Sequence, residues 1–342
     1  MKTDKKQNHF YGGQAVMEGV MMRGKSLYSM AVRKPDKEIA IVSRPIKSSD
    51  KLILKAPIIR GIVAFGSSLS LGMKTLTESA EIATEGEEED PSSRFERFLQ
   101  DKFGDKVNDV LIQISVVLAI AIALLLFVFL PLWIGSGLTW LMGSHSNLLG
   151  VIEGFARLLI FLTYVLLISR SKEIRRVFQY HGAEHKTING YEQKAELTVE
   201  KIKEYSRLHN RCGTSFLLIV MVISILVFTF VQTPNLWMRM GSRLMLIPII
   251  AGLAFEVIRW AGRSQGPLVK IISFPGLMLQ RLTTLEPDDD QIEVAISALK
   301  SVLAEEAKEE AKDEVKEGAE EVSNEDSAEK PVPSPMESCN DH

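Results

Sequence analysis

The chain has 342 residues, of which 24% are charged and 46% hydrophobic, averages that would suit two or three ordinary soluble domains. A formal net charge of −3 conceals strong segregation, because residues 286–342 hold 19 acidic against 5 basic residues and leave the rest of the chain basic. Only Cys212 and Cys339 occur, which excludes a disulfide framework, and the polar opening MKTDKKQNHF has no apolar stretch of the kind a cleavable signal peptide needs.

In chain order, residues 1–50 are expected to form a cytoplasmic β-rich unit. Ser29 to Arg44 carries two alternating apolar runs on either side of Pro35-Asp36-Lys37, a hairpin pattern, and a third strand is expected from Ala15 to Met22. Gly12, Gly13 and Gly19 punctuate GGQAVMEGVMMRG without the spacing of a dinucleotide-binding loop, and Glu18 and Arg23 stand in its apolar stretch as polar residues aimed at a site. Residues 51–80 follow, with Leu52 to Leu76 apolar, glycine-rich and interrupted by Lys55, Pro57, Arg60 and Lys74. An interfacial or re-entrant helix is favoured over a further crossing. An acidic linker with an amphipathic segment occupies 81–109.

Residues 110–262 read as a membrane domain of four helices. Val110 to Leu130 and Thr214 to Val231 are uncharged, Val151 to Ser169 contains only Glu153 and Arg157, and Leu244 to Trp260 contains Pro248, Glu256 and Arg259. A helix apolar on every face for five turns is a bilayer segment rather than a soluble core. Glu153 and Arg157, four apart, are expected to pair with each other, and Glu256 to pair with Arg259 or Arg263 unless it ligates a metal. The loop 170–213 holds ten Lys or Arg against six Glu, whereas the loop after the first run (134–147) has no charge. The positive-inside rule then places that loop and both termini in the cytoplasm. Residues 263–304 are expected as cytoplasmic helices, the second starting at Pro287 with Asp288, Asp289 and Asp290 at its positive end. Residues 305–342 form an acidic tail, with disorder expected from Ser323.

The chemistry concentrates in the loop 170–213. His181-x-x-Glu184-His185 is the mirrored zincin pattern: on a helix the two histidines share a face and Glu184 stands beside them as general base. Gly182 weakens the helix this requires. At the loop's far end His209 and Cys212, with Glu256 near the inner end of the fourth run, complete the candidate ligand set for a divalent metal, zinc by donor type. No P-loop, no G-x-S-x-G elbow and no internal repeat is visible. The expected partners are the lipid bilayer and other membrane proteins, and not nucleic acid.

GGQAVMEGVMMRG, IIRGIVAF at 58–65, YHGAEHKTINGYE at 180–192, HNRCGTSF at 209–216 and the stretch from Pro275 to Leu303 together resemble the YqhQ family. These are bacterial multi-pass membrane proteins of unknown function, commonly labelled predicted metal-dependent enzymes. The resemblance implies a bacterial cytoplasmic-membrane protein and puts the family's histidine-rich motif on His181, Glu184 and His185 and its H-x-R-C motif on His209 and Cys212. It supplies no reaction. The leading expectation is a zinc-assisted hydrolase acting at the cytoplasmic face. A non-enzymatic membrane scaffold or translocation-associated factor, with a structural metal site or a polar network in its place, is the alternative, and a transporter ranks third.

Overall fold

A computed structural model describes residues 11–46, 56–86, 107–141, 149–231, 235–261 and 266–328. Four strands, β1 (Gly12–Val16), β2 (Gly19–Arg23), β3 (Leu27–Arg33) and β4 (Ile39–Pro45), form an antiparallel sheet in chain order. The hairpin around Pro35-Asp36-Lys37 is present as β3–β4, with Lys37 in the left-handed region at φ 73°. The single strand expected from Ala15 to Met22 is instead a second hairpin, reversed at Met17-Glu18 with Glu18 at φ 47°. The alternation of side chains across a pleat explains why this sheet is buried on both faces. Val20, Met22, Leu27 and Ala31 join one core, and Met21, Tyr28, Met30 and Val32 join another.

Helix α1 (Ile59–Ala83) covers the second face through Leu71, Ile82 and Ala83. Next come α2 (Val107–Leu124), a π-helical turn over Leu125–Phe129 that feeds α3 (Leu130–Leu141), and α4 (Leu149–Ile168). Helix α5 (Lys172–Glu192) carries the histidine motif, α6 (Val199–Ile202) is one turn, and α7 (Thr214–Phe230), α8 (Leu236–Ala261), α9 (Pro267–Thr283) and α10 (Asp289–Ala328) complete the chain. The molecule is mostly helical. Three stretches, Val110–Leu138, Gly150–Ile168 and Trp237–Ala261, are long and apolar enough to cross a membrane, while Phe216–Phe230 is apolar but shorter. Helix α1 is not among them. The segment 87–106, expected as linker and amphipathic helix, lies outside the described residues.

The first face of the sheet is covered by α10 and α5. Ile292, Ala295, Leu299 and Val302 of α10 meet Tyr180, Ala183 and Ile188 of α5 and Ile202 of α6 in one core with the strands. Helix α10 begins where Pro287 and the acids predict, its Asp289 pairing with Lys203 at 2.6 Å, and it continues past Ser323, where disorder was expected. Glu306 fastens it to the sheet by accepting from the Tyr11 hydroxyl at 2.7 Å and from the Lys25 amide.

Two expected ion pairs are replaced by others. Arg157 does not pair with Glu153; its Nε donates to the Phe127 carbonyl at 2.8 Å, and Glu153 pairs with Arg243. Glu256 takes Arg60 of α1, whose Nε donates to it at 2.6 Å. The expected alternative Arg263 lies outside the described residues. The reason is long-range packing: α1 crosses α8 so closely that a Cβ on Gly61 would lie 2.9 Å from the Gly252 backbone, and that approach delivers Arg60 to Glu256.

Candidate metal centre

Helix α5 runs unbroken through Gly182, so His181 and His185 fall on one face with their rings 4.4 Å apart. Gly182 is what the packing demands: a Cβ there would lie 2.0 Å from the Leu285 carbonyl oxygen. The extended chain after α9 is bonded along this helix, the Leu285 amide donating to the Phe178 carbonyl at 2.9 Å. That close approach sets the first histidine. Nδ1 of His181 stands 2.9 Å from the Thr283 carbonyl, and Nδ1 of His185 2.6 Å from the Arg207 carbonyl. A carbonyl only accepts, so each Nδ1 carries the proton and each Nε2 presents a lone pair to the cavity. Metal-binding histidines are oriented by this same outer bond.

Cys212 joins them from the loop before α7. Its Sγ lies 3.2 Å from His181 Nε2, and the ligand atoms of His181, His185 and Cys212 all fall within 4.8 Å of one another. A tetrahedral zinc with bonds of about 2.0–2.3 Å separates its donors by about 3.3–3.6 Å, so small movements of these three would close on one ion. The sulfur also receives the Thr214 amide at 3.4 Å and lies 3.2 Å from the Thr214 hydroxyl, contacts that favour a thiolate.

Glu184 faces the same space, its Oε2 3.7 Å from His185 Nε2 and 3.9 Å from His181 Nε2. It accepts from the Gly13 amide of β1, and a Cβ on Gly13 would crowd its Cγ at 3.1 Å. Burial raises the Glu184 carboxyl to about 8 despite that bond. Burial, reinforced by the neighbouring His181, lowers His185 to about 3, and burial also lowers His181 and His209. Cys212 is raised to about 11 by burial and by the adjacent Glu184. The cluster therefore holds neutral imidazoles and protonated acids, a set of donors poorly solvated as ions and suited to a cation.

The cavity encloses about 340 Å³ and is lined by β1, α5 and the loop before α7, including Gln14, Phe178 and Arg211. His209 lines it but stands apart from the three donors, with its ring 5.7 Å from that of His185 and its Nε2 3.6 Å from Glu192. Its backbone is clamped from both sides by Gln280, which accepts from the His209 amide and donates to its carbonyl, each at 2.9 Å. Glu256, held by Arg60, does not line the cavity. Glu18 binds Arg176 and the Tyr180 hydroxyl, tying the β1–β2 turn to α5, and Arg23 is exposed. Gly13, Gln280 and Thr214 escaped the sequence reading. The glycine pair was visible, but its partner Glu184 lies half the chain away.

Residues 56–305 match the family described as "Protein of unknown function (DUF1385)". The chain is 38% identical over 308 residues to the uncharacterised protein YqhQ of Bacillus subtilis (strain 168), covering 87% of this chain and 93% of that one. No solved structure matches. With the same family reached from both directions, the chain belongs to the YqhQ family of uncharacterised proteins.

Proposed function

We propose that the protein is a multi-pass protein of the bacterial cytoplasmic membrane with a zinc-dependent hydrolytic site on its cytoplasmic side. The observation that carries the metal is the pair of imidazoles fixed through Nδ1 to backbone carbonyls, with both Nε2 lone pairs turned toward Cys212 and Glu184. A bound divalent ion supplies a Lewis acid and a water of lowered pKa. His181, His185 and Cys212 hold it. Glu184 takes a proton at its carboxylate from a water in the cavity and returns it to the leaving group, a role its raised pKa suits. The apolar walls at Ala15, Val177 and Ile188 admit a peptide or lipid-linked substrate while limiting bulk water.

A parity argument supports the membrane topology. Strands from before the first apolar run, α5 from between the second and third, and α10 from after the last share one core, so they lie on one side of any bilayer. Two crossings separate β4 from α5, which leaves α1 outside the count. An even number must likewise separate α5 from α10, and on this reading α7 and α8 make the pair, although α7 is short. Ten basic residues in 170–213 support a cytoplasmic position for the shared side. A closed structural metal site is the competing reading, and the distances from Glu184 to both imidazoles favour it by offering a fourth donor. Elemental analysis of detergent-purified protein against the His181→Ala/His185→Ala double variant tests the metal: about one zinc per chain, lost in the variant, is expected. Equal and negligible metal in both would overturn it.

A further inference from the structure

Stretches 110–169 and 214–255 contain four charged residues between them, and all four meet at one place. Glu153 and Arg157 come from the first three turns of α4, Arg239 and Arg243 from the first three of α8. Glu153 is 1% exposed, Arg243 2% and Arg157 6%. Arg243 pairs with Glu153, and Arg239 Nη1 stands 3.9 Å from the same carboxylate. Arg157 Nη1 donates to the Ser224 hydroxyl of α7 at 3.3 Å. The guanidinium carbons of Arg157 and Arg243 lie 5.0 and 4.8 Å from the one Phe228 ring, so two cations share a single aromatic face or edge.

Two buried guanidiniums, those of Arg157 and Arg243, thus face one buried carboxylate, and the neighbouring sequence adds no second acid: 110–152, 154–172 and 205–255 contain none. Buried Arg157 Nη2 and Arg243 Nε have no hydrogen-bond partner among the described residues. An excess of one buried positive charge in a low-dielectric bundle is costly unless an anion accompanies it. Neither the aromatic contacts nor the single hydroxyl removes that excess.

We propose that this cluster binds a phosphate group. The excess charge and the unpartnered donors on the planar forks of Arg157 and Arg243 match a tetrahedral oxyanion offering several acceptor oxygens. The depth agrees: the four residues lie within about 12 Å of the starts of α4 and α8 at 1.5 Å per residue, where a headgroup meets the acyl chains. Arg239, at 14% side-chain exposure the most open of the three arginines, marks the way in. The site lies at the end of the bundle away from the cytoplasmic core. It rests on the membrane reading and is independent of the metal.

The phosphate could belong to an anionic phospholipid or be a free ion, and one experiment separates the two. Full-length protein in a maltoside detergent is delipidated and its thermal unfolding followed with added phosphatidylglycerol, inorganic phosphate, or diacylglycerol as a lipid lacking phosphate. A rise of about 5 °C is expected with phosphatidylglycerol or with inorganic phosphate, and none with diacylglycerol. A response to phosphatidylglycerol alone assigns the headgroup, and a response to inorganic phosphate the diffusible ion. Ser224→Asp places a carboxylate beside Arg157 and should abolish the response. Native mass spectrometry of the wild-type chain, which needs no variant, should retain one such ligand per chain. No shift beyond that with diacylglycerol, or an undiminished shift in Ser224→Asp, would overturn the proposal. Alkaline carbonate extraction tests the membrane reading separately, since release of the chain from membranes would remove the bilayer and leave the phosphate result standing.

Discussion

Gly182 and the Leu285 carbonyl approach so closely that a methyl group on the former would lie 2.0 Å from the latter. This contact sets the Thr283 carbonyl over His181, so the packing of one glycine controls the direction of one imidazole. Gly182→Ala should destabilise the protein by about 1–3 kcal/mol, the usual effect of overpacking against backbone that cannot yield. It should also weaken metal retention. Gly66→Ala, within α1 and with nothing near its Cβ, should be neutral or gain up to about 1 kcal/mol. Thermal unfolding of the two variants side by side checks both signs.

Cys212 should resist alkylation as purified and react after a chelator is added, because a metal-bound thiolate is shielded. His185→Ala should expose it without chelator. Equal labelling in all three samples would show that the cysteine and the histidines do not share an ion.

Metal binding should release about two protons per ion at pH 7. In the metal-free protein Cys212, raised to about 11, is a thiol, and Glu184, raised to about 8, is mostly protonated. Both lose their protons beside a cation. His185, lowered to about 3, is already neutral and contributes none. Affinity therefore rises with pH through this range and falls by up to about a hundredfold from pH 7 to pH 6. Calorimetry in buffers of different ionisation enthalpy counts the protons, and Cys212→Ser should release about one fewer.

Glu256→Gln should leave metal content unchanged, since that carboxylate is committed to Arg60. Loss of metal in this variant would return Glu256 to the ligand set.

Reporter fusions at Lys194 and at Ser146 should report opposite sides of the membrane, with Lys194 in the cytoplasm. Both on one side would contradict the crossing by α4.

Local pattern was enough for much of the architecture. The β3–β4 hairpin announces itself through alternation around Pro35-Asp36-Lys37, and the start of α10 through Pro287 and three aspartates, because turn chemistry and helix caps act over a few residues. His181 and His185 were legible as a pair for the same reason. What could not be read were partnerships set by tertiary packing. Glu153 looked matched to Arg157 one turn away, yet the packing of α4 on α7, and of α7 on α8, gives it Arg243 instead. The amide that Gly13 offers Glu184 depends on a strand edge docking on α5, which no spacing encodes. Helix propensity likewise misjudged Gly182: the small local cost of a glycine is outweighed by a contact only glycine permits.

The sheet that supplies Gly13 leaves the ribosome well before α10, which covers it. About 260 residues separate Val32 from Ile292. At typical translation rates the buried face of β2 and β3 waits on the order of 10–50 s for its cover. The nascent protein thus carries a half-covered sheet while about 260 residues are added, and its first core closes only when α10 docks on the strands.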